Sequence, residues 1–490
     1  MRSTTPLITT ALLGLGLLGP TALPAQAAGE TCRGEAATIV GTGATVTGTE
    51  GRDVIVTGPA GTVDALGGDD LVCVTGGAAN SNFVTVDAGS GADLVDTSTL
   101  APGYYVTAVL GAGADTFAGG RSDESVWAGE RTKLPNGTYI PGADTDKDTI
   151  DTGEAGDFVL SGSAGAVNRD VVSLGLGNDS VTVCSLQVGA DASFDGGEGT
   201  DRVWIDTGST DIALDMTAGT FTTSAGTARI TAFEGVNLSA GTSRVTYRGT
   251  AGDEVVDISP TGGTPTVDIA TAGGQDEIVL EPATIAAGSR IDGGDGRNGL
   301  VAANASGTMS LDLPRQELVI DGRAIAATGL QDAFLIATDV TMVGDGRANI
   351  LSFAGCDADL TGGAGRDRLL NVFDSYFEKY TFDCRAETRI SGDGGADTLQ
   401  GGQGGDVLSG GSGNDTIYGR GGKDRIRGGS GQDTVDAGEG RDDVRGGGGR
   451  DRLDGKDAAD TLIGGAGRDV ADGAKGRDRC VAEREQRCER

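Results

Sequence analysis

Aspartate recurs near the C-terminus at an interval that suits the binding of a hard cation. From Gly392 to Val481 the chain reads as ten consecutive blocks of nine residues, beginning GDGGADTLQ, GGQGGDVLS, GGSGNDTIY and GRGGKDRIR. The sixth place is Asp every time: Asp397, Asp406, Asp415, Asp424, Asp433, Asp442, Asp451, Asp460, Asp469 and Asp478. Carboxylates and the main-chain carbonyls of glycine-rich turns are hard oxygen donors, which Ca2+ prefers. Mg2+ fits less well, because it demands tighter octahedral geometry. The eighth place is apolar: Leu399, Leu408, Ile417, Ile426, Val435, Val444, Leu453 and Leu462, then Ala471 and Cys480. A flexible linker would have no reason to keep an apolar residue two places after each aspartate.

The two halves of a block explain how these carboxylates would be positioned. Gly410-Gly411-Ser412-Gly413-Asn414-Asp415 can turn through positive φ without a Cβ clash. Thr416-Ile417-Tyr418 then makes one short strand, with Ile417 on one face and its neighbours on the other. So short a strand is unstable alone, so stacked copies must share one apolar layer, which makes a solenoid. Stacking sets successive carboxylates about 4.8 Å apart, a column that repels itself unless something cationic sits there. Arg420, Lys456 and Ala474 replace glycine at the second place and Ala458 at the fourth, so the corners of Gly455–Asp460 and Gly473–Asp478 are expected to be weaker or empty.

The pattern G-G-x-G-x-D-x-U-x resembles the RTX, or haemolysin-type calcium-binding, repeat. The resemblance implies a right-handed parallel β-roll with two nonapeptides per turn. It also implies calcium between blocks n and n+2 on one edge, as between the loops ending at Asp397 and Asp415, or at Asp406 and Asp424. Two further full matches stand upstream, Gly196–Trp204 and Gly362–Leu370. The metal-ligating residues it implies are therefore the block aspartates from Asp397 to Asp469, with Asp201 and Asp367.

Looser copies end at Asp53, Asp70, Asp93, Asp115, Asp148, Asp157, Asp170, Asp179, Asp253 and Asp276, with Asn298 and Asn349 in place of aspartate. Asp70 to Asp93 to Asp115, Asp179 to Asp201, and Asp253 to Asp276 to Asn298 step by 22 or 23 residues, which suits a wider parallel coil. The fold expected is all-β: a parallel β-solenoid of wide, irregular coils followed by the roll. One or two β-sandwiches are the alternative. The divisions expected are 1–27 signal peptide, 28–370 irregular solenoid, 371–391 joint, 392–481 roll and 482–490 tail. Arg131–Asp144 reads as a projecting loop. Asn371–Cys384 gathers Phe373, Tyr376, Phe377, Tyr380 and Phe382, either as a cap where the coil narrows or as a partner-binding patch.

Arg2, the apolar run Leu7–Leu18 and Ala25-Gln26-Ala27 read as a secretory signal cleaved after Ala27. The expected location is extracellular. An N-terminal signal departs from the C-terminal export signal common among RTX proteins. No later stretch is apolar enough for a membrane anchor. With 72 acidic against 38 basic residues the net charge is −34, which argues against nucleic acid and anionic membranes as partners. Histidine is absent, which removes His-based triads, H-E-x-x-H proteases and imidazole bases. Of seven cysteines, Cys480/Cys488 and Cys356/Cys384 are the close pairs, Cys32 with Cys73 is a further pairing, and Cys184 is left over.

Lys423/Arg425, Arg450/Arg452 and Arg477/Arg479 flank block aspartates and read as solvated ion pairs, with an anionic cell-wall polymer as the alternative partner. Together these features describe a secreted, monomeric, calcium-binding protein with a structural or interaction role. A calcium-dependent polysaccharide lyase or epimerase and a surface adhesin are the alternatives, although no catalytic constellation stands apart from the repeats.

Overall fold

The computed structural model describes residues 29–489, apart from 79–80, 134–138, 143–144, 164, 186, 209 and 373–386. The expected signal peptide and the aromatic run from Phe373 to Phe382 lie outside the described residues. Among the described residues every regular element is a strand, and forty-six strands join in one sheet whose pairings are mainly parallel. Each main strand pairs with the one a coil later, which is a solenoid and not a sandwich.

Within the roll, Thr416–Tyr418 buries Ile417 and turns Thr416 and Tyr418 outward. Thr398 pairs in register with Thr416, Thr416 with Thr434 and Thr434 with Arg452, each step being two nonapeptides. The opposite face runs Val407, Arg425, Asp443, Thr461, Arg479 in the same way. Leu399, Ile417, Leu453, Leu408, Ile426 and Leu462 are at most 1% exposed and form the shared interior. Each such burial contributes about 1.5–3 kcal/mol. Ala471 is buried and Cys480 only partly so, and the interior thins towards the end.

Upstream the coils are wider. Leu71 pairs with Leu94, Leu94 with Thr116 and Ser180 with Arg202, the steps of 22 and 23 residues that the spacing predicts. Arg202 pairs with Gly235 only after an antiparallel meander of Ile212–Asp215, Thr220–Thr223 and Gly226–Thr231. The shorter step is already present at Ala333↔Leu351, so the sheet passes continuously from wide coil to roll. Arg131–Lys133 and Tyr139–Pro141 are the arms of an antiparallel hairpin, and the Arg131 guanidinium lies 5.6 Å from the Trp127 ring centroid.

Cys480–Cys488 bonds the tail to the end of the roll, and Cys32–Cys73 closes the start of the solenoid. Cys184 is free and half-buried, its thiol pushed up to about 11 by burial. The pairing of Cys356 with Cys384 lies outside the described residues.

Candidate metal centre

The block aspartates form two vertical ladders, one on each edge of the roll. On the first, the main-chain N–H of Asp397 donates to Asp415 Oδ1 at 2.9 Å, and Asp415 to Asp433, Asp433 to Asp451 and Asp451 to Asp469 follow at 2.9–3.0 Å. On the second, Asp406, Asp424, Asp442, Asp460 and Asp478 are linked alike at 2.8–2.9 Å. Glu483 from the tail closes the first ladder, its Oε2 accepting the Asp469 N–H at 2.8 Å. Peptide N–H groups therefore relieve part of the repulsion down the column, one per carboxylate except at Asp406.

The second oxygen is treated differently. Oδ2 of Asp397, Asp415, Asp424, Asp433, Asp442, Asp451, Asp460, Asp469 and Asp478 is buried without a hydrogen-bond partner. Leaving a buried acceptor unmade costs about 1–3 kcal/mol, more when it is charged. The direction in which these oxygens point is set by the first-place glycine. A Cβ on Gly410 would collide with both Asp415 Oδ2 and the Gly428 carbonyl. The same holds for Gly428 with Asp433 and Gly446, and for Gly446 with Asp451 and Gly464. A carboxylate oxygen and a main-chain carbonyl oxygen from the next coil thus approach one another beside the glycine, with no N–H or O–H donor between them. That donor set fits Ca2+.

Among the described residues no three acidic or cysteine side chains converge, so most ligands at a corner would be main-chain carbonyls. Asp406 stands apart. Its Oδ2 accepts the Gly402 N–H at 2.7 Å, and its Oδ1 also takes the Thr388 N–H and hydroxyl.

Burial shifts Asp397, Asp415, Asp424, Asp433, Asp442, Asp451 and Asp460 upward. Asp424 is pushed up to about 8 and Asp460 to about 7, while Asp397, Asp433 and Asp442 are pushed to about 6, with desolvation the largest cause in each. The ladder N–H groups pull the other way and are outweighed.

The model of the RTX calcium-binding nonapeptide repeat matches residues 391–426, 418–453 and 445–480. This segment is an RTX calcium-binding repeat array. No curated protein matches the chain.

The turns of the RTX array explain its glycines. Gly411 and Gly413 have φ of +108° and +133°, and a Cβ on either would strike the carbonyl of Asp393 or Gly395 one coil below. Arg420, Lys456, Ala458 and Ala474 hold the same left-handed backbone, at φ of 77°, 68°, 83° and 62°. Each does so at a cost of about 1–2 kcal/mol. The spaces beneath Gly455 and Gly473 nevertheless stay open, facing Asp460 Oδ2 and Asp478 Oδ2, the latter beside the carbonyl of Arg487 from the tail.

The ladder extends beyond the RTX segment. It runs Asp53, Asp70, Asp93, Asp115, Asp148, Asp170 on one edge at 2.7–3.1 Å. On the other it runs Glu124, Asp157, Asp179, Asp201, Glu234 at 2.7–2.8 Å. Asp367 sits between Asn349 and Asp397, linked to each at 2.8 Å, with Gly362 and the Gly392 carbonyl beside its free Oδ2. Asp253 is not in the ladder: it is exposed, and the main-chain N–H of the buried Glu254 donates to Asp276 Oδ1 in its place. Glu124, Glu234, Glu254 and Glu483 stand where the pattern expects aspartate or outside it, so only register could have found the upstream ones: Glu124 and Glu254 one coil before Asp157 and Asp276, and Glu234 one coil after Asp201. The flanking cations are less paired than expected. Arg477 comes within 4.0 Å of Glu489, while among the described residues Lys423, Arg425, Arg450 and Arg452 make no ion pair.

Proposed function

We propose that the chain is an exported calcium-dependent structural or interaction protein, whose glycine-lined corners load calcium outside the cell and so complete its fold. The observation that supports this is the buried Oδ2 of each block aspartate except Asp406, left without a donor and, at Asp397, Asp415, Asp424, Asp433, Asp451, Asp460 and Asp478, opposite a main-chain carbonyl. The ion would lie between successive coils on each edge and take the block aspartates from Asp397 to Asp469 as ligands, all but Asp406 through an unpaired oxygen, with Asp201 and Asp367 upstream. Extracellular calcium modules bind with Kd of about 10⁻⁴–10⁻³ M. Export would therefore move the chain from calcium too dilute to fill the corners into calcium that fills them. An ion bound only by the folded state drives folding. Export is further supported by the N-terminal signal pattern at Arg2–Ala27 and by the disulfides at both ends.

Circular dichroism of the full-length chain tests this reading. Millimolar calcium added to chelator-treated protein should increase the β signal, and magnesium should not replace it. A spectrum that calcium leaves unchanged would refute the reading.

A further inference from the structure

The net charge of −34 is not spread evenly over the surface. Of the seventeen acids between Gly392 and Val481, ten are the block aspartates, all of them buried. Seven acids and thirteen bases remain outside the interior, so the roll is basic on its exterior although the chain is acidic. On the face of Tyr418, the acids Asp436 and Asp454 hold Lys456 at 3.0–3.2 Å. The opposite face gathers bases with fewer such partners. Lys423, Arg425 and Arg427 are exposed there on one coil, Arg441 and Arg445 on the next, and Arg389 two coils before Arg425. Among the described residues Arg445 alone of these six has an ion pair, with Asp443 at 3.4 Å.

The coil between Arg389 and Arg425 lacks a side chain that its neighbours have. Val407 pairs with both arginines, and Gly405 stands two places before it, as Glu387 and Lys423 stand two places before Arg389 and Arg425. A groove of about 650 Å³ opens there, with Arg389 on one side and Lys423 and Arg425 on the other. Val407 lies between them, 42% exposed. At about 4.8 Å per coil the two arginines are about 10 Å apart. The acids that line the groove are the exposed Glu387 and the buried Asp406, whose oxygens already accept N–H groups from Gly402 and Thr388.

We propose that this groove binds a linear acidic polysaccharide, with carboxylates held by Arg389 and Arg425 and a sugar ring over Val407. Guanidinium forks match carboxylates and grip them with two hydrogen bonds, and two coil steps are roughly the length of a disaccharide in an extended glycan. The hollow is one coil wide, which admits a single chain and excludes a duplex or a lipid surface. A nucleic-acid single strand would need rings to stack on, and Tyr418, the roll's one aromatic side chain, is on the other face. A peptide would need a free strand edge to extend, whereas Val407–Ser412 is paired on both sides. The proposal rests on the interaction role given above and names its partner.

The test is calorimetric titration of the full-length chain with hyaluronan in millimolar calcium, beside neutral hydroxyethylcellulose, duplex DNA and phosphatidylglycerol vesicles. Hyaluronan should bind and the neutral glucan should not. Arg389→Gln and Arg425→Gln should each weaken binding about tenfold. Gly405→Gln should weaken it as well by filling the hollow, with a side chain that the fold already carries at Gln432 in the same block position. Arg452→Gln, on the Tyr418 face, should leave binding unchanged. No binding of hyaluronan, tighter binding of DNA or vesicles, or an equal loss with Arg452→Gln would overturn the proposal. All four variants keep the block aspartates, so their circular dichroism should respond to calcium as the parent's does. Loss of glycan binding with that response intact therefore counts against the groove and not against the calcium reading.

Discussion

The two oxygens of a block aspartate meet different surroundings, and pH dependence follows from the difference. Oδ1 has a peptide N–H, whereas Oδ2 has none and is out of water, so the folded state favours the protonated acid until a cation arrives. Folded values of about 6 to 8 at Asp397, Asp460 and Asp424 lie above the unfolded value near 3.9. The metal-free fold binds more protons than the unfolded chain in that window. Its contribution to stability is then present below about pH 4 and lost as pH rises through 6 to 8. Chelator-treated protein should accordingly melt higher at pH 5 than at pH 8. Calcium affinity should weaken over the same fall in pH, as protons compete for Oδ2. A metal-free melting temperature that rises from pH 5 to pH 8 would contradict this.

At the scale of one coil, stability depends on the apolar place and the turn. Leu453→Ala removes a fully buried side chain between neighbours that depend on it, at a cost of about 2–5 kcal/mol. Because each coil contacts only the adjacent ones, the loss should spread outward. Hydrogen exchange would show this as faster exchange at Val435 and Ala471 than at Leu71. Equal protection across the roll would argue against such coupling. Ala458→Gly should act oppositely, relieving a left-handed backbone at φ of 83° and raising stability by about 1 kcal/mol in a denaturant titration.

Strand, turn and period were legible in the chain because an apolar residue repeated two places after every aspartate demands a shared interior to bury it. The peptide donors to Oδ1 were not, since they depend on register between coils. Nor was the ladder role of Glu254 beside the better-looking Asp253. Each of these is a matter of what faces what across a coil, and nearest neighbours in sequence do not reveal it.

Over the whole molecule, a net charge of −34 is wound into a sheet whose edges stack carboxylates from Asp53 to Asp478. The ends are where such a stack would fray. At the C-terminal end Glu483 completes one ladder, the Arg487 carbonyl faces Asp478, and Glu489 donates its N–H to the Asp478 carbonyl at 2.9 Å. Cys480–Cys488 holds all three in place. Cys488→Ser should therefore expose the last coil to proteolysis while leaving the wide coils resistant, and cleavage no faster than in the parent would show that the tail is not a cap. The central claim is that buried, half-satisfied carboxylates need a divalent cation. Its most direct test is the melting temperature of the full-length chain at pH 8, first in chelator and then in calcium well above the roughly millimolar range of extracellular sites. The account predicts a large upward shift with calcium, and equal melting temperatures in the two conditions would contradict it.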